Sequence, residues 1–439
     1  MALRISDIVH QFRPDLTSYE SLYKHLHSNP ELSFQEHETS SKIQLDLQQH
    51  GLLHIHSNVG GTGVAAMLEN GHGPTVLLRA DIDALPVEEK TGLPYASTKR
   101  MRNLEGIEKP VMHVSIQTLL INRKTNITHQ ACGHDMHIAA LLAAAKLLVK
   151  AQHHWSGTLI LCFEPAEELG GGAQAMVDDG LYLKVPVPDV VLGGHVLPFR
   201  SGYIGTRRGL MASAADSFQL TIHGRGAHAS QPHRSRDPIL TAAYTITRLQ
   251  SIVARETNPA DPVVVTVSAI HAGDAENVIP DQADLKLNIR TFKPHTRTRV
   301  LASVSRIIDA ESLAGEAPKP SKLKPTSSFP FLINDEKVAE KLEASFAAHF
   351  RSDGQMYDPN TMRLDGSEDF GVLATAVNRP ATYWCYGGID PAIWDKAEEE
   401  GNLEDLPINH SPHFAPVVQP TLRIATDAYA VAALTWLIA

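Results

Sequence analysis

No stretch of this 439-residue sequence stays apolar for the run of about 20 residues that a bilayer-spanning helix needs. The first residues, MALRISDIVHQFRPDL, lack the apolar centre of a secretory signal, and the ending TWLIA carries no retention or lipidation signal. A cytoplasmic protein with no membrane partner is the expectation. Positive charge is short as well: 39 Lys and Arg against 49 Asp and Glu leave a net charge of −10. That sign opposes a phosphate backbone, so nucleic acid is not an expected partner. Cysteine is scarcest, with three residues too scattered for a disulfide framework. Cys162 in TLILCFEP and Cys385 in YWCYGG read as core, whereas Cys132 in ACGHDMH stands beside histidines, a setting for thiolate chemistry. Internal repeats and low-complexity tracts are absent too.

What is present suits a soluble globular chain, and its length suggests two domains. Residues 16–28 read as an amphipathic helix ending before Asn29-Pro30, where proline disfavours helical backbone in its neighbour. β-rich runs follow at 63–68 and 75–79. A helix rich in alanine and leucine spans about 134–151, and a buried strand, 158–163, leads into the acidic segment EPAEELGGGAQAM. Strands alternating with helices predict an α/β domain with a largely parallel central sheet. Beyond residue 208 the pattern becomes strand 218–222, helix 238–255, strands 263–271 and 283–292, and helix 296–314, an α+β unit. It closes at EAPKPSKLKPTSS, read as a linker from its Pro, Lys and Ser content. A helix at 336–349 and later strands rejoin the first domain, so the second is an insertion.

Five segments carry metal-ligand residue types. Cys132-Gly-His134 opens a helix, and thiolate with imidazole suits zinc and similar ions. Glu164-Pro-Ala-Glu167-Glu168 ends a strand, where one carboxylate can bind metal while its neighbour handles protons. Gly193-Gly194-His195 follows an apolar run at an expected strand end, where ligand sites of open α/β sheets gather. Asp81 and Asp83 also follow a strand, and either can hold a ligand histidine. Asn409-His410-Ser-Pro-His413 lies near the C-terminus. Alone, each segment has a structural alternative: a buried cysteine beside surface histidines, a solvated acidic helix start, or chance placement among 23 histidines. Their recurrence at the ends of successive buried strands favours chemistry.

The motifs HLHSNPELSFQEHET, LRADIDALPVEEKTGLPYAS, ACGHDMHIAALLAAAKLL, EPAEELGGGAQAM, GRGAHASQPH, AENVIPDQADLKLNIRTF, GSEDFG and HSPHF occur in this order. Together they resemble the hippurate hydrolase, N-acyl-amino-acid amidohydrolase and auxin-conjugate hydrolase group of co-catalytic metallopeptidases, over nearly the whole chain from residue 16. The resemblance implies an α/β catalytic domain with a central mixed, mainly parallel sheet, residues 1–207 and 323–439. An inserted α+β lid/dimerisation domain, residues 208–322, interrupts it. It implies hydrolysis of the amide bond of a small-molecule N-acyl amino acid and a homodimer formed through the lid. Cys132, His134, Glu168, His195 and His410 resemble the ligands of two divalent metal ions, zinc or manganese, with cobalt or nickel also compatible. Glu167 resembles the general base and Asp83 an orienter behind the ligands. His228 resembles the histidine that stabilises the reacting carbonyl, and Asn277 and Arg290 resemble contacts for the substrate or its carboxylate. A dipeptidase or a carbamoyl-amino-acid hydrolase of the same group is the alternative activity.

One departure stands out. The group runs MHACGHD, whereas here Met112-His113 is followed by VSIQTLLINRKTNITHQ, residues 114–130, before Ala131-Cys132. Excision restores the pattern. Valine codons begin GT, CAG encodes glutamine, and a stretch encoding Lys124-Thr125-Asn126 can contain ACTAAC, so the segment reads as a retained intron. A surface loop is the alternative. An insertion directly ahead of Cys132 also leaves open a non-catalytic product, since metal ligands tolerate displacements of only about 0.2 Å.

Overall fold

Four strands, 63–70, 75–81, 157–164 and 190–200, are almost continuously apolar, the pattern of strands covered on both faces. The computed structural model describes residues 4–49, 51, 54–104, 106–112, 133–364, 366–408 and 411–438. In it these strands form the middle of an eight-stranded mixed sheet, ordered 54–59, 63–70, 157–164, 75–81, 190–200, 381–389, 203–205, 356–358. The central run 157–164, 75–81, 190–200 and 381–389 is parallel throughout. The flanking pairs 54–59/63–70, 63–70/157–164 and 381–389/203–205 are antiparallel, and 356–358 pairs parallel with 203–205.

Alternation along each strand sorts side chains between the two faces. Val76, Leu78 and Ala80, with Leu159, Leu161, Phe163, Val190, Leu192 and Val196, join the main core cluster. Helices Ile5–Phe12, Thr17–Ser28, His134–Lys150 and Val418–Leu437 contribute to the same cluster. Arg79, Asp81, Glu164 and His195 fall on the opposite parity, so the same period that builds the core delivers them to the other face. Helix His134–Lys150 is buried on almost every side, as its run of alanines and leucines requires. It begins at Gly133, whose φ of +84° and whose closeness to the Val196 side chain (2.7 Å from an added Cβ) both demand glycine.

The chain folds into two units, 1–211 with 332–439, and 212–331. The second unit is a four-stranded antiparallel sheet, ordered 263–271, 282–291, 214–223, 322–329, with helices Pro238–Ser251 and Pro294–Ala314. Its core is aliphatic: Leu220, Ile222, Leu249, Leu285, Leu287, Ile289, Val300, Val304, Ile307 and Ile308. Asp237 caps the first helix by accepting from the Ile239 and Leu240 amides, with Pro238 at the first helical position.

The expected linker EAPKPSKLKPTSS is not one: Lys322–Phe329 forms an edge strand against 214–223. Proline is compatible with an edge, where its missing N–H faces away from the ladder, and the register shifts between Ser217 and Phe218 beside Pro325. His195, expected at a strand end, lies within strand Val190–Arg200, in register with Cys385. No helix among the described residues is long and apolar enough to cross a membrane.

Candidate metal centre

The acidic segment turns sharply after strand Gly157–Glu164. Ala166 adopts a left-handed conformation, with φ of 50°, and a single 3-10 turn carries Glu167–Leu169. Two features hold this turn. Glu36 accepts a hydrogen bond from the Ala166 amide at 2.9 Å and another from the Thr62 hydroxyl. Gly172 passes so close to the Pro165 carbonyl oxygen that an added Cβ would lie 1.6 Å from it. Asp83 ties the turn to the next loop, accepting from the Glu168 amide at 3.2 Å and from the Ser33 hydroxyl at 2.7 Å.

Three histidines meet there. His134 and His137 sit one turn apart at the start of the buried helix, on one of its faces. His134 Nδ1 donates to the Asp83 carbonyl oxygen at 2.9 Å, so its Nε2 bears the lone pair of the neutral ring. His195 Nδ1 donates to the Val196 carbonyl at 2.6 Å, which likewise directs its lone pair to Nε2. His137 is committed at both nitrogens: Nε2 accepts from the Val196 amide at 3.0 Å and Nδ1 donates to Asp81. It therefore acts on Asp81 and is not a vacant ligand.

Beneath these groups lies Arg79, buried with four acids. Its guanidinium donates to Glu164 at 2.6 Å, Asp81 at 2.7 Å and Glu368 at 3.0 Å, with Asp369 at 3.8 Å. Burial penalises the Arg79 charge, but Asp81, Glu164 and Glu368 outweigh it and hold the cation well above its ordinary range. Asp81 stays ionised because Arg79, His134 and His137 overcome its own burial. Glu167 is pushed the other way: burial, then the charges of Glu368, Glu168 and Asp369, lift its carboxyl well above normal. Burial works against the His134 imidazolium, yet Asp81 and Asp83 raise it to about 10. His195 is held well below the usual histidine range by burial and by His137.

The donor set fits divalent cations. Among the described residues, ligand atoms of His134, Glu167 and Glu168 lie within 4.8 Å of one another, as do those of Asp81, His134, His137 and His195. His134 Nε2 is buried with no hydrogen-bond partner, its nearest acid oxygen being Asp81 Oδ2 at 3.4 Å. Both lone-pair nitrogens have the other ring nitrogen fixed by a carbonyl, the arrangement that orients histidine ligands. Positive ions among these carboxylates would take the place of the protons that burial otherwise favours.

Of the residues singled out from sequence, His134, Glu167, Glu168, His195 and Asp83 come together in the first unit. Cys132 and His410 lie outside the described residues, as does the 114–130 insertion. His228 and Asn277 meet in the second unit: His228 pairs with Val278, and the Ala229 amide donates to the Asn277 carbonyl at 2.9 Å. Both are exposed, and the His228 ring shares a 2.8 Å hydrogen bond with the Ser230 hydroxyl. Arg290 is on strand Gln282–Thr291, opposite Ala215 and Val264. Sequence reasoning gave no role to Arg79, His137, Glu36, Glu368 or Asp369. The signals that could have found them are strand parity, which puts Arg79 on the face of Asp81, and the GSEDFG motif, which contains Glu368 and Asp369.

Comparison with known proteins agrees with this geometry. Residues 124–410 match Peptidase family M20/M25/M40. An N-acetyl-L-cysteine deacetylase of Bacillus subtilis is 38% identical over 338 residues, covering 76% of this chain and 73% of its own. The hippurate hydrolase of Campylobacter jejuni is 35% identical over 359 residues, 81% of this chain and 84% of its own. Among solved structures, a dinuclear metal-binding M20 peptidase of Bacillus subtilis superposes with a TM-score of 0.68 at 27% identity, covering 97% of this chain and 98% of that one. With buried histidines and carboxylates brought together in the first unit, and with relatives matching along most of its length, this chain belongs to Peptidase family M20/M25/M40.

Proposed function

We propose that the chain is a metal-dependent amidohydrolase that converts an N-acyl amino acid and water into a carboxylic acid and a free amino acid. The observation that carries this reading is the meeting of His134, Glu167 and Glu168 ligand atoms within 4.8 Å, with Glu167 buried and its carboxyl inclined to hold a proton. His134, Glu168 and His195, with Cys132 and His410, would hold two divalent ions, zinc or manganese, with cobalt or nickel also suited to such donors. When bound, the ions supply Lewis acidity toward water and the scissile carbonyl. Glu167 accepts the proton of the attacking water and returns it to the amine nitrogen as the C–N bond breaks. Asp83 keeps His134 in one tautomer and Glu168 in place. His228 is assigned the hydrogen bond to the developing oxyanion, and Asn277 and Arg290 the contacts to the substrate or its carboxylate. The names of the relatives support an N-acyl amino acid as substrate, and the resemblance supports a homodimer formed through the second unit, read out by sedimentation velocity.

The test is hydrolysis of a panel of hippurate, N-acetyl and indole-acetyl amino acids, dipeptides and carbamoyl amino acids, with zinc or manganese, by the full chain and by one lacking residues 114–130. Cleavage of N-acyl amino acids that is abolished by a chelator is expected. Cleavage confined to dipeptides or carbamoyl compounds would replace the assigned substrate. Two metal-loaded but inert chains would overturn the hydrolase reading.

A further inference from the structure

A second feature adjoins the metal centre and has no part in the chemistry just described. A cavity of about 340 Å³ lies in the first unit, with Leu32, Leu85, Pro86, Leu104 and Leu169 among its walls. Three ties bind it to the centre. Ser33, on its rim, donates to the Asp83 carboxylate at 2.7 Å. Ala84, also lining it, directly follows Asp83, and Leu169 directly follows Glu168. Behind the wall, Leu32, Ala84 and Val111 form a small buried cluster of their own with Met101 packed on it.

Asn103 and Leu104 come from the turn that follows strand Arg100–Arg102, which pairs with Glu108–Pro110. Asn103 closes its turn: its amide donates to the Ile107 carbonyl, and its side-chain oxygen accepts from the Ile107 amide, both at 2.9 Å. This turn presents Leu104 with 69% of its surface exposed, and across the cavity Leu169 is 42% exposed. Large apolar side chains facing one concavity beside a reactive centre mark a ligand surface. The polar residues in the lining, Ser33, Gln35 and Asn103, are uncharged, as is every other residue there. A carboxylate would find no counter-charge in it, and the acids Asp83 and Glu168 stand next to it. The half of an N-acyl amino acid that fits is therefore the acyl half.

We infer that this cavity is the acyl subsite, that it takes apolar acyl groups longer than acetyl, and that Leu104 sets the preferred length. The inference rests on the amidohydrolase reading. A cavity of this size leaves a two-carbon acetyl group with most of the apolar wall still wet, whereas each further methylene removes more of it from water.

The test has a binding arm and a turnover arm. In the first, calorimetry follows the linear carboxylates from acetate to octanoate, the acid products of such a reaction, on the full chain. Affinity should rise about fourfold per methylene until the cavity is filled. Leu104→Asp should abolish that gain. Leu104→Met, which conserves volume and apolarity, should retain it, and so should Leu183→Asp, at an exposed residue of helix Leu181–Lys184 outside the lining. In the second arm, kcat/KM is compared along N-acyl-alanines of rising acyl length and along N-acetyl amino acids of rising side-chain size. The gain should follow the acyl chain. A flat carboxylate series, a gain insensitive to Leu104→Asp, or a gain that follows the amino-acid side chain would overturn the assignment. A Leu104-dependent carboxylate series without any amide hydrolysis would keep the apolar subsite and remove the hydrolase reading beneath it.

Discussion

The two units bury different things. The inserted unit, 212–331, closes over an aliphatic core in which Leu287, Ile289, Val304 and Ile307 are covered and charged groups such as Arg306 and Arg248 stay outside. The first unit has an apolar core of the same kind, yet also buries Arg79, Asp81, Asp83, Glu164, His134, His137 and His195. Buried charge is a poor route to stability, because desolvation of each ion offsets most of its attraction to a partner. The first unit thus buries its candidate chemistry, whereas the inserted unit carries His228 and Asn277 exposed over an aliphatic core.

That contrast can be tested by substitution, beginning with the largest effect. Glu167→Gln should lower turnover about 10²- to 10⁴-fold while bound metal, measured by mass spectrometry, is retained. Its melting temperature should stay level or rise, since a crowded carboxyl becomes a neutral amide. Loss of metal together with activity would make Glu167 a ligand and erase the role assigned to it. Arg79→Met should cost about 3–5 kcal/mol in denaturant unfolding, because Asp81, Glu164 and Glu368 lose their common cation. A smaller cost would mean that these acids are neutral in the folded chain.

A third test uses pH. His27 lies buried between Asp135, at 2.6 Å, and Glu89, at 3.0 Å. Burial opposes its charge, but these two acids raise it from an ordinary 6.5 to about 9. The folded state therefore binds this proton more tightly than the unfolded chain. The stabilisation is complete below about pH 6.5 and disappears as pH rises through about 9, a change of about 3 kcal/mol. His27→Gln should flatten that part of the stability profile, and an unchanged slope would place the titration elsewhere. The smallest effect belongs to the core of the inserted unit: Ile307→Val should cost only about 0.5–1.5 kcal/mol and leave metal content unaltered.

Much of this organisation was legible in the residues. The helix at 134–150 follows from its alanines and leucines, and the strands at 75–81 and 157–164 from unbroken apolar runs bounded by polar loops. His134, Glu167, Glu168, His195 and Asp83 could be singled out because ligand-type residues recur at or near strand ends. The edge strand 322–329 was hidden because the prolines and lysines of EAPKPSKLKPTSS imitate a linker, and only the pairing with strand 214–223, whose register shifts beside Pro325, reveals the strand. Arg79 and Glu368 were hidden for another reason. They are 289 residues apart, and no local period reports that one is the counter-ion of the other. His137 looked like one more histidine of its motif until the Val196 amide was seen to occupy its second nitrogen.

The buried helix also has a consequence for how the chain tolerates changes in its length. Sliding His134–Lys150 by one residue would turn its first histidine about 100° around the axis, away from Asp83, and would press side chains into neighbours on every side. The helix thus has one permitted phase. Upstream, Met112 is fastened by paired backbone hydrogen bonds to Leu85, and downstream, Gly133 is wedged between Val196 and Pro416. Chain added between two such anchors cannot be passed along to the helix as a shift in phase. The phase of His134 against Asp83 is therefore set by the packing of its own helix and not by the chain that leads into it.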